Sequence, residues 1–253
     1  MDPTNTNAHL SQIMTLWSVV CQAHRGPAEA QAAARERLME RYGGAVIRYL
    51  TRSLRNPDAA QDLYQEFALR FISGKFQGAS PERGRFRDYL KTALYHLIVD
   101  YKHKQHGQPR LLSSSIAEPA AESTGLSDAE RAFTESWREE LLAHAWDRLS
   151  ACERETGQPF YTVLRLRADQ PDLRSPQMAE QLSARLGKPI TSNNVRQLLH
   201  RAREKFADIL LDEVTQSLEN ATPDELEQEL GDLGLLEYCR PALERRAGSG
   251  TGG

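Results

Sequence analysis

The chain has 253 residues, which is room for one large domain or two small ones. Hydrophobic residues make up 40%, aromatics 7% and charged residues 26%, with a mean hydropathy of -0.60; that is lean for one thick sheet-based core and rich in the helix formers Ala, Leu, Arg and Glu. No apolar run approaches the roughly 20 residues that span a bilayer, and the polar start Met1 to His9 lacks the parts of a signal peptide, so no membrane partner is expected. The three cysteines, Cys21, Cys152 and Cys239, lie far apart, which argues against a disulfide framework or a cysteine zinc site and makes the cytoplasm the default location. The net charge of -3 hides a segregation, because the stretch between Lys205 and Arg240 carries ten acids and no Lys or Arg. Outside it stand 32 basic and 25 acidic residues, a balance of +7, which points to a polyanionic partner and a tail able to compete with it.

Helical spacing recurs along the chain, and no convincing period-2 stretch appears. Helical material is expected around Ile13–Val20 and Ala28–Glu36, then a helix marked by Leu38, Tyr42, Val46, Tyr49, Leu50 and Leu54. Asn56 can cap the next helix, with Pro57 at its first position and Leu63, Phe67 and Phe71 on its inner stripe. Gly74 to Gly84 is a loop, followed by a helix with Phe86, Tyr89, Leu90, Leu94, Leu97, Ile98 and Tyr101 turned inward. From His106 to about Asp128 the periodicity stops among Gly, Pro and Ser. It returns with Leu141, Leu142, Ala145, Trp146 and Leu149, then Phe160, Val163 and Leu164. Ser175-Pro176 opens a helix carrying Met178, Ala179, Leu182 and Leu186; Gly187-Lys188-Pro189 breaks it; and Thr191 or Ser192 caps a long last helix. Thr222-Pro223-Asp224-Glu225 is a capping box that opens a tail helix with Leu226, Leu230 and Leu233. Gly248 to Gly253 reads as a disordered end. The predicted fold is therefore all-α: an N-terminal extension over 1–34, a helical domain over 35–105, a flexible linker over 106–128, a helix-turn-helix domain over 129–213 and an acidic extension over 214–253.

Two segments carry chemistry. Ser175 to Phe206 has the form of a helix-turn-helix whose second helix opens with Ser192, Asn193, Asn194, Arg196 and Gln197, residue types able to read adenine or guanine edges. Arg201, Arg203 and Lys205 follow as phosphate contacts, although an ordinary helical hairpin with a solvated basic face gives the same pattern. Earlier, Asp62, Gln65 and Glu66 share one side of a helix by i, i+3, i+4 spacing. Beyond them Lys75, Arg83, Arg85, Arg87, Lys91, His96 and Lys102 are interleaved with Phe76, Phe86, Tyr89, Tyr95 and Tyr101, the mixture that single-stranded nucleic acid requires, with Phe86, Tyr89 and Tyr101 better placed as core. No catalytic constellation and no cofactor motif appears: there is no phosphate-cradling glycine loop and no triad, and His103 and His106 near Asp100 make poor metal ligands.

Three stretches, Asp58–Phe67, Arg83–Asp100 and Asn194–Phe206, in this order around a linker, resemble RNA polymerase sigma factors of the sigma-70 family, extracytoplasmic-function type. Thr15-Leu16-Trp17-Ser18-Val19-Val20 and the acidic end resemble a subgroup common in planctomycete-like bacteria. The resemblance implies that Asp62, Gln65 and Glu66 dock on core RNA polymerase. It implies that Lys75 to Arg85 captures a flipped base of the minus-ten element and that Phe86 to Lys104 lines the melted strand. The last helix-turn-helix would read the minus-thirty-five element as duplex. It also leaves room for an anti-sigma partner. The sequence departs from the family at His96, where Asn is usual, at Leu198, often Arg, and in a longer turn over Gly187–Thr191. A helix-turn-helix regulator acting without polymerase is the rival reading; it has no use for the polar face at Asp62–Glu66 beside a basic aromatic segment. A helical protein-binding adaptor would leave the basic residues without a role.

Overall fold

The computed structural model describes residues 27–72, 85–105, 123–218 and 222–250. Expectations for Ile13–Val20, for the loop with Lys75 and Arg83, and for the linker up to 122 lie outside the described residues. The described residues form nine α-helices and no strand: α1 (Ala28–Leu54), α2 (Pro57–Ile72), α3 (Phe86–Gln105), α4 (Ser123–Thr156), α5 (Phe160–Asp169), α6 (Ser175–Leu186), α7 (Ser192–Ser217), α8 (Pro223–Asp232) and α9 (Leu236–Gly250). No described helix is long and apolar enough to cross a membrane.

The helices fall into two compact units. The first takes in described residues up to Glu140 together with Gln216–Leu233: α1, α2, α3, the first part of α4 and α8. Its local signals act as the sequence predicts. Asn56 Oδ1 accepts the Asp58 and Ala59 amides at 3.1 and 3.2 Å, and Pro57 opens α2. Leu38, Tyr42, Val46, Tyr49 and Leu50 of α1 are buried with Leu63, Phe67 and Phe71 of α2 and with Phe86, Leu90, Leu94, Leu97 and Ile98 of α3. Two neighbouring glycines let other elements approach α1 closely. A methyl at Gly43 would lie 2.6 Å from the Tyr64 hydroxyl, and one at Gly44 would lie 2.5 Å from Glu140 Oε2, where Glu140 pairs with Arg48.

Two boundaries differ from the sequence reading. Helix α1 is continuous from Ala28, so residues 28–34, assigned to an N-terminal extension, join the first domain's opening helix. Helix α4 begins at Ser123, inside the stretch read as linker, and its residues up to Glu140 belong to the first unit. The reason is a pair of aromatics that the earlier periodicity passed over. Phe133 and Trp137 stand eight and four residues before Leu141 and extend its stripe backward by whole turns. Trp137 is fully buried, stacks on Tyr42 at 4.6 Å and lies 6.4 Å from Phe86, while Phe133 meets Tyr49 edge-on at 5.3 Å.

The second unit comprises Leu141–Thr215 and the described residues from Gly234 onward. Val163 and Leu166 of α5, Met178, Ala179 and Leu182 of α6, and Val195 and Leu199 of α7 form one core cluster, with Leu173, Ile190 and Leu198 packed against it. Trp146 packs on Phe206 at 4.7 Å and meets Tyr161 edge-on at 5.9 Å. Helix α9 is held to α7 by Arg245–Asp208 at 3.0 Å and Arg246–Asp212 at 2.7 Å. The tail is thus two helices, broken at Gly234, whose φ of +65° is left-handed and suits glycine. Helix α9 continues to Gly250, two residues past the start of the expected disordered end, a difference within the usual fraying of helix termini.

Candidate nucleic-acid interface

Helix α2 divides cleanly into faces. Leu63 and Phe67 are buried, whereas Asp62 and Gln65 are exposed and Glu66 is half-buried. Glu66 pairs with Arg70 one turn on and lies 3.9 Å from Lys104 of α3. The same face carries Leu69, seven residues beyond Asp62 and 69% exposed. Sequence reasoning missed Leu69, because a leucine beside Phe67 and Phe71 passes for core. Its position was nonetheless readable: the Asp62–Gln65–Glu66 spacing, carried one more turn, lands on it. A single exposed leucine is ordinary on a protein surface; here it adds one apolar side chain to the polar face that carries Asp62, Gln65 and Glu66.

Helix α3 carries the basic residues, but they do not form one open stripe. Arg87, Lys91 and Lys102 share a side of the helix, while His96, five residues on from Lys91, turns to another. His96 and Lys102 are exposed, and the Tyr95 ring meets the His96 ring edge-on at 5.9 Å. Lys91 is engaged by Glu130 at 3.0 Å and Asp88 at 3.8 Å. Arg85 and Arg87 both face α8. The Arg87 guanidinium lies 2.9 Å from Glu229 Oε1 and 3.3 Å from Asp232 Oδ2; Arg85 binds Asp232 at 2.7 Å and also contacts Glu229. Burial works against the Arg85 charge, but its hydrogen bond to Asp232 and the charge of Glu229 outweigh that and hold its pKa above the ordinary value. Tyr89 is likewise pushed well above the usual phenol range by burial, in keeping with its expected inward position. Phe86 is buried, as expected, and Tyr101 is half-buried.

In the second unit, α6 and α7, the segment read as a helix-turn-helix, are joined by a short turn. Gly187 takes the left-handed conformation at φ +64° and ends α6. The turn is pinned by Ser183, whose Oγ accepts the Ile190 amide at 2.8 Å and donates to the Ala179 carbonyl at 2.7 Å. Helix α6 starts with Ser175 already inside it, and the Arg174 amide donates to the Gln177 side chain at 2.9 Å. Thr191 caps α7 by accepting the Asn194 amide at 3.2 Å. Val195, Leu199, Ala202 and Phe206 face inward. Asn193, Asn194, Arg196, Gln197, Arg201 and Arg203 are exposed, and Ser192 is half-buried at the start. His200, not singled out beforehand, is exposed one turn after Arg196 and Gln197. Leu198 packs toward the core cluster, which explains why an apolar residue stands there.

Residues 38–107 match the family model of sigma-70 region 2. The match runs from the buried part of α1 through α2 and α3, so the polar face with Leu69 and the Arg85–Arg87 pair both fall inside it. The match takes in 70 of the chain's 253 residues and supports a relation to the sigma-70 family over that segment. Comparison with curated proteins and with solved structures returned no match.

Proposed function

We propose that this protein is a sigma factor of the extracytoplasmic-function type, acting in the cytoplasm to bring core RNA polymerase to promoters. The observation that carries the reading is the order of surfaces within residues 38–107: an acidic and amide-bearing face with an exposed leucine on α2, then a basic, tyrosine-bearing α3. Asp62, Gln65, Glu66 and Leu69 would dock on core polymerase. Arg85, Arg87, Lys91, His96 and Lys102, with Lys75 and Arg83, would hold the melted minus-ten strand through phosphates while Tyr95 offers a stacking face. Helix α7 would enter the major groove of the minus-thirty-five element, with Ser192, Asn193, Asn194, Arg196 and Gln197 toward base edges and Arg201 and Arg203 on phosphates. The acidic end supports placing the chain in the subgroup common in planctomycete-like bacteria, and an anti-sigma protein could compete for the α2 face.

The test is co-elution with core polymerase on gel filtration. The wild-type chain should co-elute, and the double reversal Asp62→Lys with Glu66→Lys should not, while keeping its helical circular dichroism. A chain that never joins core polymerase yet binds a specific operator duplex tightly would replace this reading with that of a free-standing regulator.

A further inference from the structure

The charge segregation along the chain gives the acidic tail the means to compete for basic surface. The first unit contains its first helix. Helix α8 is capped by Thr222, whose Oγ1 accepts the Glu225 amide at 3.3 Å. It turns Leu226, Leu230 and Leu233 inward, and on the same side Glu229 is only 1% exposed. A carboxylate that deep is costly unless it is paired and fully hydrogen-bonded. Its partners are the two arginines flanking Phe86, and Asp232, one turn on from Glu229, meets the same pair. Arg87 is 8% exposed as a result, so neither water nor a ligand has ready access to its guanidinium. Two carboxylates spaced by one helical turn, gripping two arginines at the N-terminal end of α3, use the donors that strand phosphates would use.

Resting on the sigma-factor reading, we infer that α8 is a built-in competitor: Glu229 and Asp232 occupy Arg85 and Arg87 in place of promoter phosphates, and the chain engages an opened strand only when α8 lifts away. The inference concerns the first turn of α3 and α8 alone, and it explains why a chain with a basic body carries its acids behind the DNA-reading helix. Polymerase docking is assigned to α2 and strand binding to Arg85 and Arg87, so the two steps are measured separately.

A fluorescein-labelled dT20 oligonucleotide serves as probe, with binding to the full-length chain followed by anisotropy. Glu229→Gln with Asp232→Asn keeps the side-chain shapes and removes the competing charge; it should tighten binding about tenfold and steepen the salt dependence by about 1.4 in log–log slope, the value for two additional phosphate contacts on a single strand. Asp224→Asn with Glu227→Gln removes the same charge from exposed positions of α8 and should change affinity less than about twofold, since it frees no phosphate-binding group. Adding Arg85→Ala and Arg87→Ala to the first double variant should abolish its gain. An unchanged affinity in the first variant overturns the inference, as does a gain that survives loss of the arginines or is matched by the exposed control. Because the variants alter a buried cluster, wild-type chain gives an independent readout. Amide exchange over residues 223–233 should accelerate when the oligonucleotide saturates the protein, and unaltered exchange at saturation also overturns it. In either failure, co-elution with core polymerase still reports on the sigma-factor reading by itself.

Discussion

Replacing Leu69 with alanine separates a docking surface from an accident of composition. Leu69 is 69% exposed on α2, so the folded chain gains little from it, and the change should move stability by no more than about 0.5 kcal/mol. Alanine is the better helix former, which leaves α2 intact. If core polymerase covers this face, the leucine is buried on binding. Full burial of such a side chain is worth about 1.5–3 kcal/mol, of which alanine retains a part. A loss of about 1–2 kcal/mol, or roughly 5- to 30-fold in Kd, follows. The assay is a competition titration of labelled chain against unlabelled variant for core polymerase, run beside thermal melts of both proteins. A Kd unchanged within twofold, with Asp62→Lys also silent, would refute the assignment of this face. A substantial drop in Tm would refute the premise that Leu69 lies outside the core.

Other consequences concern each unit in turn. Trp137→Ala should destabilise the first unit by about 3–5 kcal/mol in urea titrations, because it removes a fully buried indole stacked on Tyr42. Arg196→Ala should leave Tm unchanged and cost about 1–3 kcal/mol of binding to a minus-thirty-five duplex, the worth of one base-edge contact, measured by anisotropy at fixed salt. Burial raises the Cys239 thiol from 9.0 to about 11, so its contribution to stability is complete below pH 9 and fades as pH rises toward 11, where the unfolded chain ionises first. Urea unfolding at pH 8 and pH 10.5 should therefore show a smaller alkaline loss in Cys239→Ala than in the parent chain.

Most of the architecture was legible because local signals and packing agree. Asn56-Pro57 and Thr222 through Glu225 start helices where their side chains satisfy backbone amides, and the apolar stripes of α2, α6 and α7 are buried as their spacing implies. What escaped was set by tertiary contact. Ser123 to Asp128 has the composition of a linker, but it leads into Phe133 and Trp137, whose burial continues the helix backward. Leu69 and Glu229 invert the usual rule, an apolar residue in water and an acid in the core, and a pattern of polarity alone assigns each to the wrong side. Arg85 and Arg87 were recognisable as basic, yet their partners are more than 140 residues away in sequence, beyond the reach of any local spacing.

The decisive measurement is a reconstituted run-off reaction: core polymerase, a library of genomic fragments from the organism that encodes the chain, and the purified chain present or absent, with start sites read by sequencing. Starts that appear only with the chain, and that share two short upstream elements, are the predicted outcome. A start-site profile identical with and without it would contradict the account at its root.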